Sequence, residues 1–122
     1  MVIAVDFDGT ITDKNIFPEI GTFKEHALES IKNFQEHGHK VVMWTCREGI
    51  YLDDAKIALH RKGIFLDGYN FSPYQIQSRK IVADVYIDDK NVLMVDNVDW
   101  YKIEEYVLSL GDKEVKIVKD GK

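Results

Sequence analysis

The chain has 122 residues, a mass of 14.1 kDa and a formal charge of −5, from 16 Lys+Arg against 21 Asp+Glu. That length fits one domain, residues 1–122, and excludes a catalytic core carrying a large separate lid. Hydrophobic residues at 45% and charged residues at 30% argue against disorder, and the acidic balance argues against a general nucleic-acid binder with a broad basic face. Cys46 is the single cysteine, so an intramolecular disulfide framework and a cysteine-only zinc site are excluded, and a reducing compartment fits best. The opening Met1 to Asp6 lacks the basic segment and long apolar stretch of a secretory signal, and no apolar run approaches membrane-spanning length. The expectation is a cytoplasmic protein with no membrane partner.

Val2 to Val5 form a continuous apolar run that stops at Asp6, the pattern of a strand buried on both faces of a parallel sheet. Phe23, Ala27, Leu28, Ile31 and Phe34 recur at three- and four-residue steps and predict an amphipathic helix. Thr22 and Glu25 form a capping box at its start, and Gly38 supplies its end. A second strand, Val41 to Trp44, ends at Thr45, so strand, helix and strand make one right-handed crossover unit. A helix is predicted over Tyr51 to Lys62 with Gly63 as its stop, and Ile64-Phe65 begins a short strand. Leu66 to Tyr74 reads as irregular backbone before a short turn at Gln75 to Lys80. Val82 to Ile87 is a third apolar run, closing on Asp88-Asp89. Trp100 to Leu110 is helical, and the alternating Glu114 to Val118 reads as an edge strand. The sum is an α/β fold, a Rossmann-like three-layer sandwich around a mostly parallel sheet with no cap domain.

The chemistry sits at the strand ends. In a parallel sheet the carboxyl ends of the strands share one edge, and ligands bind in the crevice outside it. Asp6, Asp8, Asp88 and Asp89 therefore converge, and four carboxylates repel one another unless a hard cation joins them; oxygen ligands of this kind favour magnesium. In an extended strand Asp6 and Asp8 point to one side, able to flank one substrate atom. Gly9 permits a backbone turn that presents amides to an anion, and Thr10 adds a hydroxyl, an arrangement that suits phosphate. Thr45 binds in the same crevice or caps the following helix. Arg47 forks onto a substrate phosphate or pairs with Glu48 or Asp53.

The string Asp6-Phe7-Asp8-Gly9-Thr10 resembles the DxDGT motif of the haloacid dehalogenase-like superfamily of hydrolases, whose Rossmann-like fold carries its site at this sheet edge. Thr45 resembles the second motif of that superfamily, Lys80 the third and Asp88-Asp89 the acidic fourth, in the right order over Met1 to Asp89. The resemblance implies a Mg²⁺-dependent phosphatase in which Asp6 attacks phosphorus and Asp8 moves the proton of the leaving group. Thr45 would bind the transferring phosphoryl, and Lys80 would balance its charge. The side chain of Asp6, the backbone carbonyl of Asp8, Asp88 and Asp89 would hold the metal. Lys80 stands only eight residues before Asp88, so Lys90, Arg79 and Arg47 are rival balancing cations.

Two other readings use the same residues. Receiver-like signalling modules share the acidic site, the Thr and the Lys, but their acceptor Asp ends a middle strand, where this chain has Thr45. A phosphate-binding regulatory protein with weak turnover is the other. For a hydrolase the short chain predicts an open site, which admits a nucleic-acid end, or one roofed by a second copy for a small substrate.

Overall fold

The computed structural model describes residues 1–71, 80–91, 94–95 and 97–120, with side chains described as far as residue 110. The elements are β1 (Val2–Val5), α1 (Ala27–Glu36), β2 (Lys40–Met43), α2 (Gly49–His60), β3 (Gly68–Tyr69), β4 (Val85–Ile87) and α3 (Trp100–Asp120). The four strands form one parallel sheet in the order β3-β2-β1-β4, an α/β fold as expected.

Register decides where the chemistry falls. Val5 pairs with Met43 on one side and Ile87 on the other, and Met43 pairs with Tyr69, so the strands end level. The ladder then runs one residue further: Asp6 N–H donates to the Ile87 carbonyl (2.9 Å), Trp44 N–H to Val5 (2.9 Å) and Asn70 N–H to Met43 (2.8 Å). Asp6, Asp88, Thr45 and Asn70 are thereby brought to one edge.

Alternation along the strands gives each face of the sheet its own cluster. Ile3, Val5, Val41, Met43 and Ile87 are buried with Ile31 and Phe34 of α1, Ala55 and Leu59 of α2, and Trp100, Ile103 and Val107 of α3. Val2, Ala4 and Val42 face the other way, against Ile81 and the half-buried Trp44, Ala83 and Tyr86. Each large apolar side chain in these clusters contributes roughly 1.5–3 kcal/mol through burial, so the sheet edge stands on a firm base. Among the described residues, no helix is long and apolar enough to cross a membrane.

Several boundaries differ from the sequence reading. Helix α1 begins at Ala27, not Phe23, because Phe23 pairs antiparallel with Thr12 and the Thr22 carbonyl accepts the Asp13 N–H at 2.7 Å. Thr22 is thus part of a hairpin-like loop base, and the residue before the helix is His26, left-handed at φ 69° with no capping side-chain bond. Helix α2 is shifted two residues towards the N-terminus. The third strand lies at Gly68–Tyr69 and not at Ile64-Phe65, since Asp67 starts the pairing: its N–H donates to the Val41 carbonyl (2.8 Å) and its carboxylate accepts the Val41 N–H (2.7 Å). Strand β4 is limited to Val85–Ile87; its predecessors Ile81 and Ala83 turn onto the second face. Helix α3 continues to Asp120, so the expected strand at Glu114 to Val118 is helical. Val115 and Val118 stand three apart, a spacing that serves a helix as well as the alternation serves a strand. The turn expected at Gln75 to Lys80 lies, up to residue 79, outside the described residues.

Candidate functional site

The loop after β1 is wound tightly: the Phe7 carbonyl accepts N–H bonds from Thr10 (3.2 Å), Ile11 (3.0 Å) and Thr12 (3.2 Å). Gly9 sits at φ +84°, and a Cβ there would lie 2.6 Å from Asp89 Oδ2. This glycine is needed for two reasons, a backbone conformation costly to other residues and the close approach of a carboxylate. Its N–H is not offered to an anion, as the sequence reading had it; it donates to Thr12 Oγ1 at 3.1 Å.

Thr10 also differs from expectation. It is fully buried, and its hydroxyl lies 3.2 Å from Asp6 Oδ2 and 3.3 Å from Asp89 Oδ1 while accepting the Asp89 N–H at 2.8 Å. One hydroxyl proton serves two acids, so Thr10 braces the carboxylates and does not reach for substrate.

Asp6, Asp88 and Asp89 form one group, with a carboxylate oxygen from each within 4.8 Å of the others. Burial, and then the charge of Asp88, raise the Asp6 pKa to about 7, against the bond from the Phe7 amide that lowers it. Burial also raises Asp88, opposed by the Lys90 amide and assisted by Asp89. The group is therefore short of positive charge, and its donors are all hard oxygens at a spacing one small divalent cation can span. Asp6, Asp88 and Asp89 are the residues that could hold such an ion.

The side chain of Asp8 does something else. Arg47 Nε donates to its Oδ2 and Nη2 to its Oδ1, both at 2.7 Å, a bidentate pair with Arg47 only 1% exposed. The other guanidinium protons go to backbone carbonyls: Nη1 to Pro18 (3.2 Å) and Tyr51 (3.2 Å), Nη2 to Glu19 (2.8 Å). All five N–H donors are thus satisfied within the chain. Arg47 is corrected in two respects: it has no donor left for substrate, and its acidic partner is Asp8 in place of Glu48 or Asp53. The Asp8 carboxylate faces Arg47 and is not part of the metal-type cluster; only its backbone carbonyl is left for that task.

Thr45 follows β2 at the edge, its N–H bonded to Asn70 Oδ1 (2.8 Å) and its hydroxyl accepting the Arg47 N–H (3.2 Å). It caps a local turn, while Glu48 occupies the position before α2. Lys80 is exposed and sets its ammonium 4.7 Å from the centre of the Tyr86 ring, and Lys90 Nζ lies 3.7 Å from Asp89. Of the rival cations, then, Arg47 is engaged with Asp8, Lys90 stands beside the cluster, and Arg79 lies outside the described residues.

Two supports escaped the sequence reading. Asn70, left-handed at φ 59°, joins β3 to the loop after β2 by accepting from Thr45 and donating to the Arg47 carbonyl at 2.9 Å. Trp100 donates its indole N–H to the Thr10 carbonyl at 2.8 Å from the start of α3. Asn, a residue type that tolerates the left-handed backbone, was the available signal for the first; the second joins residues 90 apart and left none.

No family model and no curated protein matches the chain. A solved structure does, that of a conserved protein coded by a locus of Bacteroides thetaiotaomicron, at 38% sequence identity over 89% of this chain and 90% of that one, with a TM-score of 0.81. At that identity and coverage the similarity extends from the fold to most of the sequence, and the chain belongs to the same family as this Bacteroides thetaiotaomicron protein.

Proposed function

We propose that the protein is a Mg²⁺-dependent phosphohydrolase of the haloacid dehalogenase-like type, cleaving a phosphate monoester through an aspartyl-phosphate on Asp6. The observation that carries this reading is the grouping of Asp6, Asp88 and Asp89 within 4.8 Å at the level strand ends. Mg²⁺ held by Asp6, Asp88 and Asp89 would supply the positive charge that a phosphoryl group and three acids require together.

The chain's own residues divide the rest. An oxygen of Asp6 attacks phosphorus while the bond to the leaving alcohol breaks. Asp8 gives a proton to the departing oxygen, then takes one from the water that attacks the phosphoryl-aspartate, releasing inorganic phosphate and restoring Asp6. Each carboxylate oxygen has two acceptor positions; Arg47 uses one on each, which leaves the others for the travelling proton. Thr10 holds Asp6 and Asp89 in place, and Thr45 hydrogen-bonds the phosphoryl. Lys90, 3.7 Å from Asp89, is a candidate balancing cation beside Lys80. The exposed, unpaired Cys46 suits a cytoplasmic protein.

The test is turnover of 4-nitrophenyl phosphate with Mg²⁺. Asp6→Asn should reduce it by at least about a thousandfold, the scale of removing a nucleophile, and a chelator should abolish it. Unimpaired turnover by Asp6→Asn overturns the reading.

A further inference from the structure

Arg47 collects bonds from three parts of the chain. The first is Asp8. The second is the loop closed by the Thr12–Phe23 bridge, whose tip contributes the Pro18 and Glu19 carbonyls. The third is the first turn of α2, through Tyr51. The guanidinium carbon lies 5.3 Å from the Phe7 ring centre and 5.1 Å from that of Phe17, so the charge is held between two aromatic faces. Phe7 is fully buried, whereas Phe17 is 50% exposed and rests against Tyr51 at 5.1 Å between ring centres. Phe17 is thus the outer cover of a buried charge.

A guanidinium fork fixes direction as well as distance, because two parallel bonds stop the carboxylate from turning. The fork is itself held by the three carbonyls, so its plane is set by how the loop and α2 are seated. We infer that Arg47 is a positioning residue through which the loop of residues 13–22 sets the direction of the Asp8 carboxylate. Arg47 has no donor left for substrate, and Phe17, packed on the guanidinium, acts through it. This inference rests on the proposed phosphohydrolase reading for its catalytic consequence, though not for its geometry.

The consequence is selective. Loosening Asp8 harms both of its proton transfers, and the first of them limits turnover most when the departing alkoxide is a poor leaving group, so the loss is larger there. The variant to use is Phe17→Ala, since a half-exposed side chain can be shortened without opening the core; Arg47→Lys, which retains the charge and loses the fork, is its companion. With ethyl phosphate, Phe17→Ala should lower kcat about tenfold and leave KM within about twofold, a small misplacement of a catalytic group. With 4-nitrophenyl phosphate the same variant should lose less than about threefold. Arg47→Lys should show the same pattern, more strongly. In an Asp8→Asn background, Phe17→Ala should cause no further loss, because its effect passes through Asp8.

An equal loss on both esters, a loss carried by KM, or an undiminished loss in the Asp8→Asn background overturns the inference. A second readout needs no turnover: the carboxyl carbon resonance of Asp8, assigned by its disappearance in Asp8→Asn, should move in Phe17→Ala. If it stays in place the inference fails. If it moves while Asp6→Asn retains full activity, the positioning stands and the phosphohydrolase reading is what fails.

Discussion

Asp6 and Asp8 leave the same strand two residues apart and meet opposite surroundings. Asp6 is partly buried with two further acids, shares one hydroxyl proton with Asp89, and is pushed up to about 7 by burial and the charge of Asp88. Asp8 is buried more deeply, at 8% exposure, yet both its oxygens are matched by a guanidinium. The difference teaches how one short motif supplies two carboxylates for different tasks. One region is left short of positive charge, which under the proposed function a cation would supply. The other has each carboxylate oxygen met by a donor of the chain itself, which fixes its direction. Exposure alone would not have separated them; the partner decides.

The comparison is broken most severely by removing Arg47. Arg47→Met should destabilise the protein by about 3–5 kcal/mol, because it leaves Asp8 as an unpaired buried charge together with three carbonyls that have lost a donor. Urea unfolding measures this. The double variant Asp8→Leu with Arg47→Met should recover a large part of the loss, since the uncompensated charge is then gone. If Arg47→Met costs less than about 1 kcal/mol, the pair is behaving as a surface ion pair and the contrast with Asp6 is lost.

That pair was also the part of the site least legible in the sequence. Level strand ends could be read from where the apolar runs stop, at Asp6, Thr45 and Asp88, and the structure aligns them by register. Convergence of Asp6, Asp88 and Asp89 followed from a parallel sheet, whereas the expected fourth member, the Asp8 carboxylate, faces Arg47. The choice of partner for Arg47 did not, because it depends on a loop folding back so that Pro18 and Glu19 reach the guanidinium from 29 and 28 residues away. Nearby Glu48 and Asp53 were the natural guesses from sequence distance, but Glu48 stands just before α2 and Asp53 within it, while the guanidinium bonds go to Asp8 and three carbonyls. The same effect displaced the start of α1: Thr22 and Glu25 spell a cap, but pairing of Phe23 with Thr12 outweighs a cap worth about 1 kcal/mol. Local signals failed where a long-range contact claimed the same residues.

The acidic region is sharpened by pH. Asp6 has an ordinary value of 3.8 and a value of about 7 in the folded metal-free protein, so the folded state holds a proton that the unfolded chain gives up. Its contribution to stability is full below about pH 4 and is lost as pH rises through 7, by about 2 kcal/mol once solvent screening is discounted. In a chelator, thermal unfolding should therefore occur at lower temperature at pH 8 than at pH 5.5. Asp6→Asn, which removes the titration, should flatten that difference. Saturating Mg²⁺ should also offset the fall, since a cation bound to the folded state stabilises it most where the acids are ionised. A metal-free protein equally stable at both pH values would mean that burial and Asp88 do not raise Asp6, and the contrast would fail on its acidic side.

Gly9 tests the acidic region from the backbone side, with the smallest effect. Gly9→Ala places a Cβ where Asp89 Oδ2 now lies at 2.6 Å and imposes φ +84° on a residue that has a side chain. The conformational penalty alone is about 1–2 kcal/mol. The steric part is relieved if Asp89 moves from the place where Thr10 bonds it and Lys90 Nζ lies 3.7 Å away. Movement there should weaken Mg²⁺ binding, measured by calorimetry, by about tenfold, comparable to losing part of a ligand's support. The carboxyl carbon resonance of Asp8 should not respond, because among the described residues no hydrogen bond or ion pair joins Arg47 or Asp8 to Asp89. A shift of Asp8 in Gly9→Ala would mean that the two carboxylate regions are mechanically joined through the turn at Phe7, and the separation drawn between Asp6 and Asp8 would then describe their electrostatics only.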